Sequence, residues 1–446
     1  MQTNNEKFSR RNWLILLIFG TVGQLAWSVE NMYFNLFVFD EVAKNLDTIT
    51  LMVQLSGIMA TVATLVAGVI SDKVGNRRAF ISWGYAIWGV TVALFGCLSP
   101  NLIASIFGMD VNAAVSVTLV CVVVGDCVMT LFGSCANDAA FNAWVTDNTR
   151  PAYRGRVESI LSILPLIAML IVAGGFGILV GFIGYRALFI GLGVVISVCG
   201  IFGIFYIKDN PEMEKSGTMR DIFYGFKPSV VKGHLPLYVT LLIVLVYGIA
   251  CQIFMPYLII YMRESLGFSV IEYSLVFGLA IVLGAALNVY LGRLSDKMSK
   301  VKLLYVAAGV MALGLFGMYF SNFESHVANL ILFGIAGFVM IAGYIFVSAL
   351  CGSTVRDYTP EGAVGRLQGV RMVFSVLLPM LIGPMIGNEI NRAVGKKLES
   401  PGADIMTTEF VPAPEIFLVA ALVMLLAFAL IPLLSKTGKS NKNEEK

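Results

Sequence analysis

Apolar stretches of about 20 residues, separated by short polar segments, run through almost the whole chain. An α-helix needs about 20 mostly apolar residues to cross about 30 Å of hydrocarbon, and a backbone in hydrocarbon must satisfy its own hydrogen bonds. The pattern therefore predicts an all-α membrane protein. Composition agrees, because charged residues make up 13% of the chain, whereas a soluble globular domain holds about 25%.

Twelve stretches are long and apolar enough to span a bilayer. They lie near 13–39, 49–70, 79–99, 115–145, 158–183, 186–207, 235–262, 270–292, 302–320, 327–355, 367–390 and 415–435. A polar segment separates the first six from the last six. We therefore expect a six-helix bundle at 1–207, a cytoplasmic central loop at 208–234, a second six-helix bundle at 235–435 and a disordered tail at 436–446.

The basic residues predict the orientation of these helices. If the N-terminus is cytoplasmic, all but six of the 31 Lys and Arg residues lie on the cytoplasmic side. The six on the outer side are Lys44, Arg186, Arg263, Arg392, Lys396 and Lys397. Because cytoplasmic loops of multi-pass proteins carry an excess of basic residues, we expect both termini inside. The same dispersal over short loops argues against a nucleic-acid-binding face.

Two motifs return at about half the chain length. GVISDKVGNRR at 68–78 returns in weaker form as GRLSDKMSKVK at 292–302, an offset of 224 residues. Asp147, in TDNTRPAYRGR, returns 210 residues later as Asp357, in RDYTPEGAVGR. Two independent matches at similar offsets predict two pseudo-symmetric halves.

GVISDKVGNRR resembles the loop signature of the major facilitator superfamily, in which glycine, aspartate, glycine and paired arginines follow the second helix. Twelve helices and a central loop extend the resemblance over nearly the whole chain. Within the superfamily, NDAAFNAWVTDNTRPAYRGR, Asp40 and the sequence QGVR resemble the glycoside–pentoside–hexuronide:cation symporters and their proton-coupled sucrose-transporter relatives. The resemblance implies two six-helix bundles with a solute site between them.

This likeness implies a secondary transporter that moves a sugar or glycoside with a cation, in the bacterial cytoplasmic membrane. The family's sugar-binding aspartate of helix 4 falls on Asp138, and Phe141 matches an aromatic residue three positions later. Gln24 stands where the family has another sugar-binding aspartate. The predicted second helix, 49–70, contains no Asp or Glu, although the melibiose type holds sodium there. We therefore expect a proton as the coupling ion rather than sodium.

Three carboxylates, Glu30, Asp126 and Asp138, lie away from the ends of predicted spanning helices. An ionisable group at the helix centre costs about 2.5–3.5 kcal/mol on insertion scales, so each one suggests a function. Desolvation raises the pKa of a carboxyl group, which makes Glu30 or Asp126 a candidate proton carrier. The alternative is a buried carboxylate locked to a cation or a hydrogen-bond donor on a neighbouring helix. Arg371, in the second half, either neutralises such a carboxylate or reaches lipid headgroups.

Sugar binding combines carboxylates and amides, which bind hydroxyl groups, with an aromatic face that covers the ring. Polar residues of this kind lie at helical spacing in the predicted first and fourth helices, and others lie in the seventh. The candidates for the substrate site are Gln24, Trp27, Asn31, Asn137, Asp138, Asn142, Tyr247 and Gln252. Trp144 is expected in the interfacial aromatic belt instead.

Charged residues at the predicted cytoplasmic ends of the helices are candidates for a gate between the two halves. Opposite charges on facing bundles can form latches that rocking of the halves breaks and remakes. The candidate residues are Gly68, Asp72, Gly75, Arg77, Arg78, Asp147, Arg154, Arg156, Asp296, Arg356, Asp357 and Arg366. The alternative is that these charges serve only membrane topology.

Other functional classes find less support in the sequence. No P-loop and no catalytic constellation is present, so we expect neither an ATP-driven transporter nor an enzyme. The seven cysteines lie in or beside apolar stretches and are expected to pack rather than to bind metal. We expect no cofactor, a solute, a coupling cation and the bilayer as partners, and a monomer. Efflux of an amphipathic compound and a transporter-like sensor or lipid-handling protein remain alternatives.

Overall fold

The computed structural model describes residues 9–149, 151–210, 219–295, 298–360, 364–397 and 410–444. The regular elements in these ranges are helices, and one isolated bridge joins Lys397 to Phe410. The prediction of an all-α fold is confirmed.

Eleven helices among the described residues are long and apolar enough to cross a membrane. They are Arg10–Val42, Leu46–Val74, Arg77–Phe95, Val111–Asn148, Ile163–Tyr206, Leu235–Ser265, Val270–Asn288, Lys300–Phe320, His326–Tyr358, Leu367–Val394 and Glu415–Lys436. Nearly all coincide with a predicted span to within several residues, and most extend beyond it.

The difference between eleven and twelve arises at Ile163–Tyr206, which is 44 residues long. Gly184 inside it has φ 75° and ψ 164°, values that no helix allows. This break divides the stretch into 163–183 and 185–206, each long enough to span. The sequence predicts two spans in this region, and the count of twelve remains a prediction that this kink supports.

Short polar side chains define where several of these helices begin. The first backbone N–H groups of a helix have no partner within it, and Ser, Asn or Asp at the preceding position can accept from them. Ser9 accepts from the Asn12 backbone N–H, and Asn76 accepts from that of Ala79. Ser325 accepts from the Ala328 backbone N–H at the start of a later helix.

Some helical segments lie where the sequence predicts loops. A short helix, Pro100–Phe107, lies between two spans. The predicted central loop contains a 3-10 helix, Met219–Phe226, and an α-helix, Pro228–Gly233. The last helix, Ala427–Glu444, continues through most of the tail that the sequence predicts to be disordered.

The Cα atoms group into two compact units. The first unit comprises 1–37, 58–172 and 179–219, and the second comprises 38–57, 173–178 and 220–446. The first unit corresponds to most of the predicted first bundle. Its aromatic core includes Phe34, whose ring centroid lies 4.3 Å from that of Phe95 and 4.8 Å from that of Phe189.

Several spanning helices contain π-helical turns, in which one extra residue enters a turn. Two of these turns contain candidate site residues, because Glu30 begins Glu30–Phe34 and Asp138 lies inside Ser134–Phe141. Such turns are frequent at functional sites, since they redirect side chains without ending the helix. The remaining ones are Val38–Val42, Val172–Phe176, Tyr261–Ser265 and Val373–Leu377.

Replacing Gly184 by Ala tests the break in the long helix. An added Cβ would meet no atom within 4 Å, so any cost comes from the backbone, where this glycine-only region costs about 1–3 kcal/mol for other residues. We expect Gly184→Ala to lower the thermal unfolding midpoint of the purified protein. Gly191→Ala is the control, because it also meets open space but at an ordinary helical φ, and should leave the midpoint equal or higher. A higher midpoint for both variants would contradict the break.

Candidate functional site

Glu30 is the most deeply buried acidic group of the first helix, with 8% of the residue exposed. Its Oε1 accepts a hydrogen bond of 2.9 Å from the Thr130 hydroxyl. Asp126, one turn before Thr130, is 2% exposed and interacts electrostatically with Glu30. Among the described residues, Glu30 Oε2 has no hydrogen-bond partner. Two helices of the first unit therefore bring two buried carboxyl groups near each other, and a neutral hydroxyl donates to one of them.

Asp138 is held by neutral donors of its own helix. Its Oδ1 accepts from the Asn137 amide at 3.0 Å, and its Oδ2 accepts from the Ser134 hydroxyl at 3.2 Å. The Tyr85 hydroxyl lies 2.8 Å from both Asn137 Oδ1 and the Phe19 carbonyl oxygen, and can donate to either one. This buried tyrosine of the third span fixes Asn137, which in turn orients Asp138.

The sequence does not predict that Tyr85 supports Asn137, because this tyrosine lies in an apolar run that is typical of a buried core. A buried tyrosine hydroxyl needs a hydrogen-bond partner, and this need is the only signal in the sequence. Trp88, one turn later, is also fully buried, and its ring lies 5.2 Å from that of Trp27. Tyr85 and Trp88 thus contact two of the predicted candidates, Asn137 and Trp27.

Four predicted substrate residues form an accessible polar surface in the first unit. Gln24 and Trp27 are half-buried, while Asn31 and Asn142 are exposed. The Asn31 amide donates to the Trp27 carbonyl oxygen at 2.8 Å, and the Asn142 amide donates to that of Asp138 at 3.1 Å. Asn142 thus binds the backbone of half-buried Asp138, while Asn31 binds the backbone of Trp27.

The remaining predicted solute-site and coupling residues belong to the second unit. Tyr247 is half-buried, and its ring meets that of Tyr344 edge to face with centroids 6.2 Å apart. Gln252 is half-buried and packs against Gly383. Arg371, also half-buried, lies in the last turn of the helix Val364–Met372. The structure thus brings the acidic candidates together within one unit and these three residues within the other.

The GVISDKVGNRR motif forms an ionic cluster around Arg77, which is 5% exposed. Its Nη2 binds Asp72, its Nε donates to Asp147 at 3.1 Å and its Nη1 donates to the Ser71 hydroxyl at 2.5 Å. Gly75, at φ 71°, supplies the left-handed turn between the two helices. The cluster joins the ends of three spans within the first unit.

The segment after Tyr206 adds to this cluster. Asp209 accepts from the Arg78 backbone N–H at 2.9 Å, and Asn210 donates to the Asp147 carbonyl oxygen at 2.7 Å. Burial raises the pKa of Asp209, and the bond from Arg78 opposes that shift. The sequence predicts Trp144 in the interfacial aromatic belt, and the structure corrects this. Trp144 is fully buried, and its indole N–H donates to the Lys208 carbonyl oxygen at 2.9 Å.

The second unit contains a counterpart to this cluster. Lys300, at the start of a span, donates to Asp357 Oδ2 at 2.6 Å. Asp357 is the repeat equivalent of Asp147, and Lys300 lies one position from the equivalent of Arg77. The sequence motif alone does not identify Lys300, because the paired arginines are missing from GRLSDKMSKVK.

The other gate candidates have varied surroundings. The Arg156 guanidinium lies 5.5 Å from the centre of the Trp13 ring. Gly68 is half-buried in the second helix, and Arg356 is exposed near the end of its helix. Asp296 lies outside the described residues, and so do the side chains of Arg154 and Arg366.

Two ion pairs at the opposite end of the helices are not predicted from the sequence. Arg263 binds both carboxylate oxygens of Asp40, with 2.6 Å between Nη1 and Oδ2. Arg392 Nε lies 3.0 Å from Asp47 Oδ1, which also accepts from Asn388 at 2.7 Å. Asp40 and Arg263 lie 223 residues apart, nearly the repeat offset. Opposite charges at equivalent positions are the signal that could have paired them.

Replacing Arg77 by Gln should destabilise the protein. The change removes the guanidinium from a buried site with three partners, and breaking a buried ion pair costs about 3–5 kcal/mol. Lys300→Gln is the matched control, because the Lys300 side chain is 35% exposed and an exposed pair contributes about 0–1 kcal/mol. We expect a much larger loss in the thermal unfolding midpoint for Arg77→Gln. Equal losses would show that the Arg77 cluster contributes no more than an exposed ion pair.

Comparison with known proteins addresses the fold and the family. The crystal structure of a bacterial homolog of the human lysosomal transporter Spinster, inward-facing and unoccupied, matches with a TM-score of 0.67 at 12% identity, over 96% of this chain and 98% of that one. The nucleoside transporter NupG matches with a TM-score of 0.64 at 12% identity, over 94% and 98%. A bacterial homologue of the iron transporter ferroportin, outward-facing with soaked iron, matches with a TM-score of 0.63 at 15% identity, over 95% and 98%.

These likenesses are too distant to indicate more than a shared fold. Among curated proteins, no sequence matches the chain significantly. The sequence profile of the Major Facilitator Superfamily, however, matches residues 13–384 and 240–446. Together with the helices and the repeated ionic clusters, this match shows that the chain belongs to the Major Facilitator Superfamily.

Proposed function

We propose that this superfamily member is a secondary active transporter that couples uptake of a sugar or glycoside to proton movement by alternating access. The observation that carries the proposal is Glu30, a buried carboxyl group whose described hydrogen-bond donor is the neutral Thr130 hydroxyl. The distant structural neighbours include a nucleoside transporter and a homologue of an iron transporter, so the fold does not choose among solutes. The choice rests on the side chains of the site.

The proton site consists of Glu30 and Asp126. An ionised carboxylate with one oxygen lacking a hydrogen bond is costly at membrane depth, and a second carboxylate nearby adds repulsion. Binding one proton relieves both costs, and the pair then titrates as a unit. A permanent ion pair would suppress this exchange, whereas the Thr130 hydroxyl can bond to either protonation state of Glu30.

The solute site adjoins the proton site on the accessible surface of the first unit. Asp138 and the two exposed amides offer acceptors and donors that suit the hydroxyl groups of a neutral polyol. Trp27, half-buried beside them, offers an apolar ring face to cover a sugar ring. Tyr247, Gln252 and Arg371 remain further candidates that the sequence suggests for solute binding and charge balance.

Efflux of an amphipathic compound is less well supported. Such a solute needs accessible aromatic side chains, whereas many of the aromatic rings in the first unit are core residues. Phe34, Phe95 and Phe189 are at most 1% exposed.

The ionic clusters around Arg77 and Lys300 form the proposed cytoplasmic gate. In this structure each cluster is closed within its own unit. We expect the gate charges to exchange some of these partners during the transport cycle, as rigid bundles rock. The gate assignment assumes cytoplasmic termini and a bacterial inner membrane, as the basic residues and the family resemblance suggest.

Solute-induced alkalinisation tests the proposal. Cells that express the protein are suspended in weak buffer and given a panel of mono- and disaccharides while the external pH is recorded. We expect at least one sugar to raise the pH. Glu30→Gln should abolish the signal, because the amide cannot carry a proton. Asp138→Asn should raise the half-saturating sugar concentration about tenfold or more, as expected for losing a hydrogen bond to a charged group.

Glu41→Gln serves as the control for these variants. Glu41 lies on the same helix but is exposed, so its replacement should leave the signal unchanged. Each variant must be present in the membrane at the wild-type level. If no sugar changes the external pH, with or without sodium, proton–sugar symport is wrong. If Glu30→Gln alkalinises like the wild type, Glu30 is not the proton carrier.

A further inference from the structure

The central segment 222–233 has two different faces. One face packs on spanning helices of the second unit, to which the segment itself belongs. On this face Tyr224, Val230 and Val231 join a hydrophobic cluster that includes Leu237 and Leu367. Two phenylalanines and two lysines of the segment are exposed, and Lys227 Nζ lies 5.7 Å from the centre of the Tyr224 ring. The transport cycle proposed above uses none of these residues.

Hydrogen bonding and close packing fix the level of this segment along the helices. The Tyr238 hydroxyl donates to the Gly225 carbonyl oxygen, and Tyr238 lies in the first turn of the span that begins at Leu235. At the start of another span, a Cβ on Gly369 would lie 2.6 Å from the Ile222 carbonyl oxygen. The segment therefore lies beside the first turns of two spanning helices, not away from them in water.

The exposed face at this level combines aromatic and basic side chains. Phe223 is 68% exposed and Phe226 is 43% exposed, and they flank buried Gly225. Lys227 and Lys232 are exposed on the same segment. Aromatic rings with nearby lysines, at the end of a spanning helix, are typical of segments that lie in the membrane interface.

We propose that segment 222–233 is a membrane-interface anchor that binds anionic phospholipid of the cytoplasmic leaflet. Phe223 and Phe226 insert at the boundary between headgroups and acyl chains, and the two lysines bind anionic headgroups. Charge complementarity supports this occupant, because the cytoplasmic leaflet is negatively charged and attracts basic residues next to a span. The anchor fixes the start of the helix at Leu235 relative to the bilayer.

Photocrosslinking of the full-length protein in vesicles tests this inference. The vesicles contain equal amounts of phosphatidylglycerol and phosphatidylcholine. Phe223 or Phe226 is replaced by p-benzoyl-phenylalanine, and the adducts are identified by mass spectrometry after illumination. We expect phospholipid adducts with phosphatidylglycerol in excess. The same replacement at Tyr224, which faces the protein, is the control and should give intramolecular adducts.

The same crosslinking measurement, with the photoreactive residue at position 223 or 226, tests the contribution of the two lysines. Lys227→Gln together with Lys232→Gln should reduce the excess of phosphatidylglycerol adducts, by about fivefold for each lysine. The pair Lys396→Gln and Lys397→Gln, at the predicted outer side, should leave the ratio unchanged. Equal labelling of the two lipids in the unaltered lysine background would overturn the proposal. Adducts to a second copy of the chain would also overturn it. Labelling confined to the protein at positions 223, 224 and 226 would do the same.

Discussion

A carboxyl group inside a bundle of apolar helices must find its hydrogen-bond donors within that bundle, and Glu30 finds the Thr130 hydroxyl at 2.9 Å. This need for an internal donor links the first and fourth spans of the first unit. The fourth span places Thr130 toward Glu30, and its π-helical turn Ser134–Phe141 places Asp138 on the accessible surface. Tyr85 supports that turn through Asn137. An acid held by neutral donors can exchange a proton, whereas one held by an arginine is held in its charged form.

Arg77 shows the opposite arrangement at the end of the same unit. There a buried guanidinium contacts two carboxylates and a hydroxyl, so its charge is compensated in this structure. The second unit repeats the position with Lys300 and Asp357 but leaves the pair more exposed. The halves thus share a helix plan and a place for an ion pair, while the residues and their burial have diverged.

The sequence predicted the features that depend on one helix at a time. The spans follow from apolar length, the repeat predicted paired positions for Asp147 and Asp357, and Glu30 was identified because charge is rare in such helices. Features that depend on packing between helices were missed. Tyr85 lies in an apolar run that is typical of a core, Lys300 lies in a predicted loop, and Trp144 is predicted at the membrane interface. The role of each residue depends on a partner elsewhere in the chain, which the sequence pattern does not show.

The account depends most on Glu30 as the group that links proton movement to solute movement. Purified protein in proteoliposomes can show this link through two assays of one transported sugar: exchange at equal pH, and accumulation driven by a pH gradient. If Glu30 is the proposed proton carrier, Glu30→Gln should keep exchange but lose accumulation, because the change removes the titrating group and leaves the proposed solute-binding residues in place. Accumulation at the wild-type level in Glu30→Gln would contradict it.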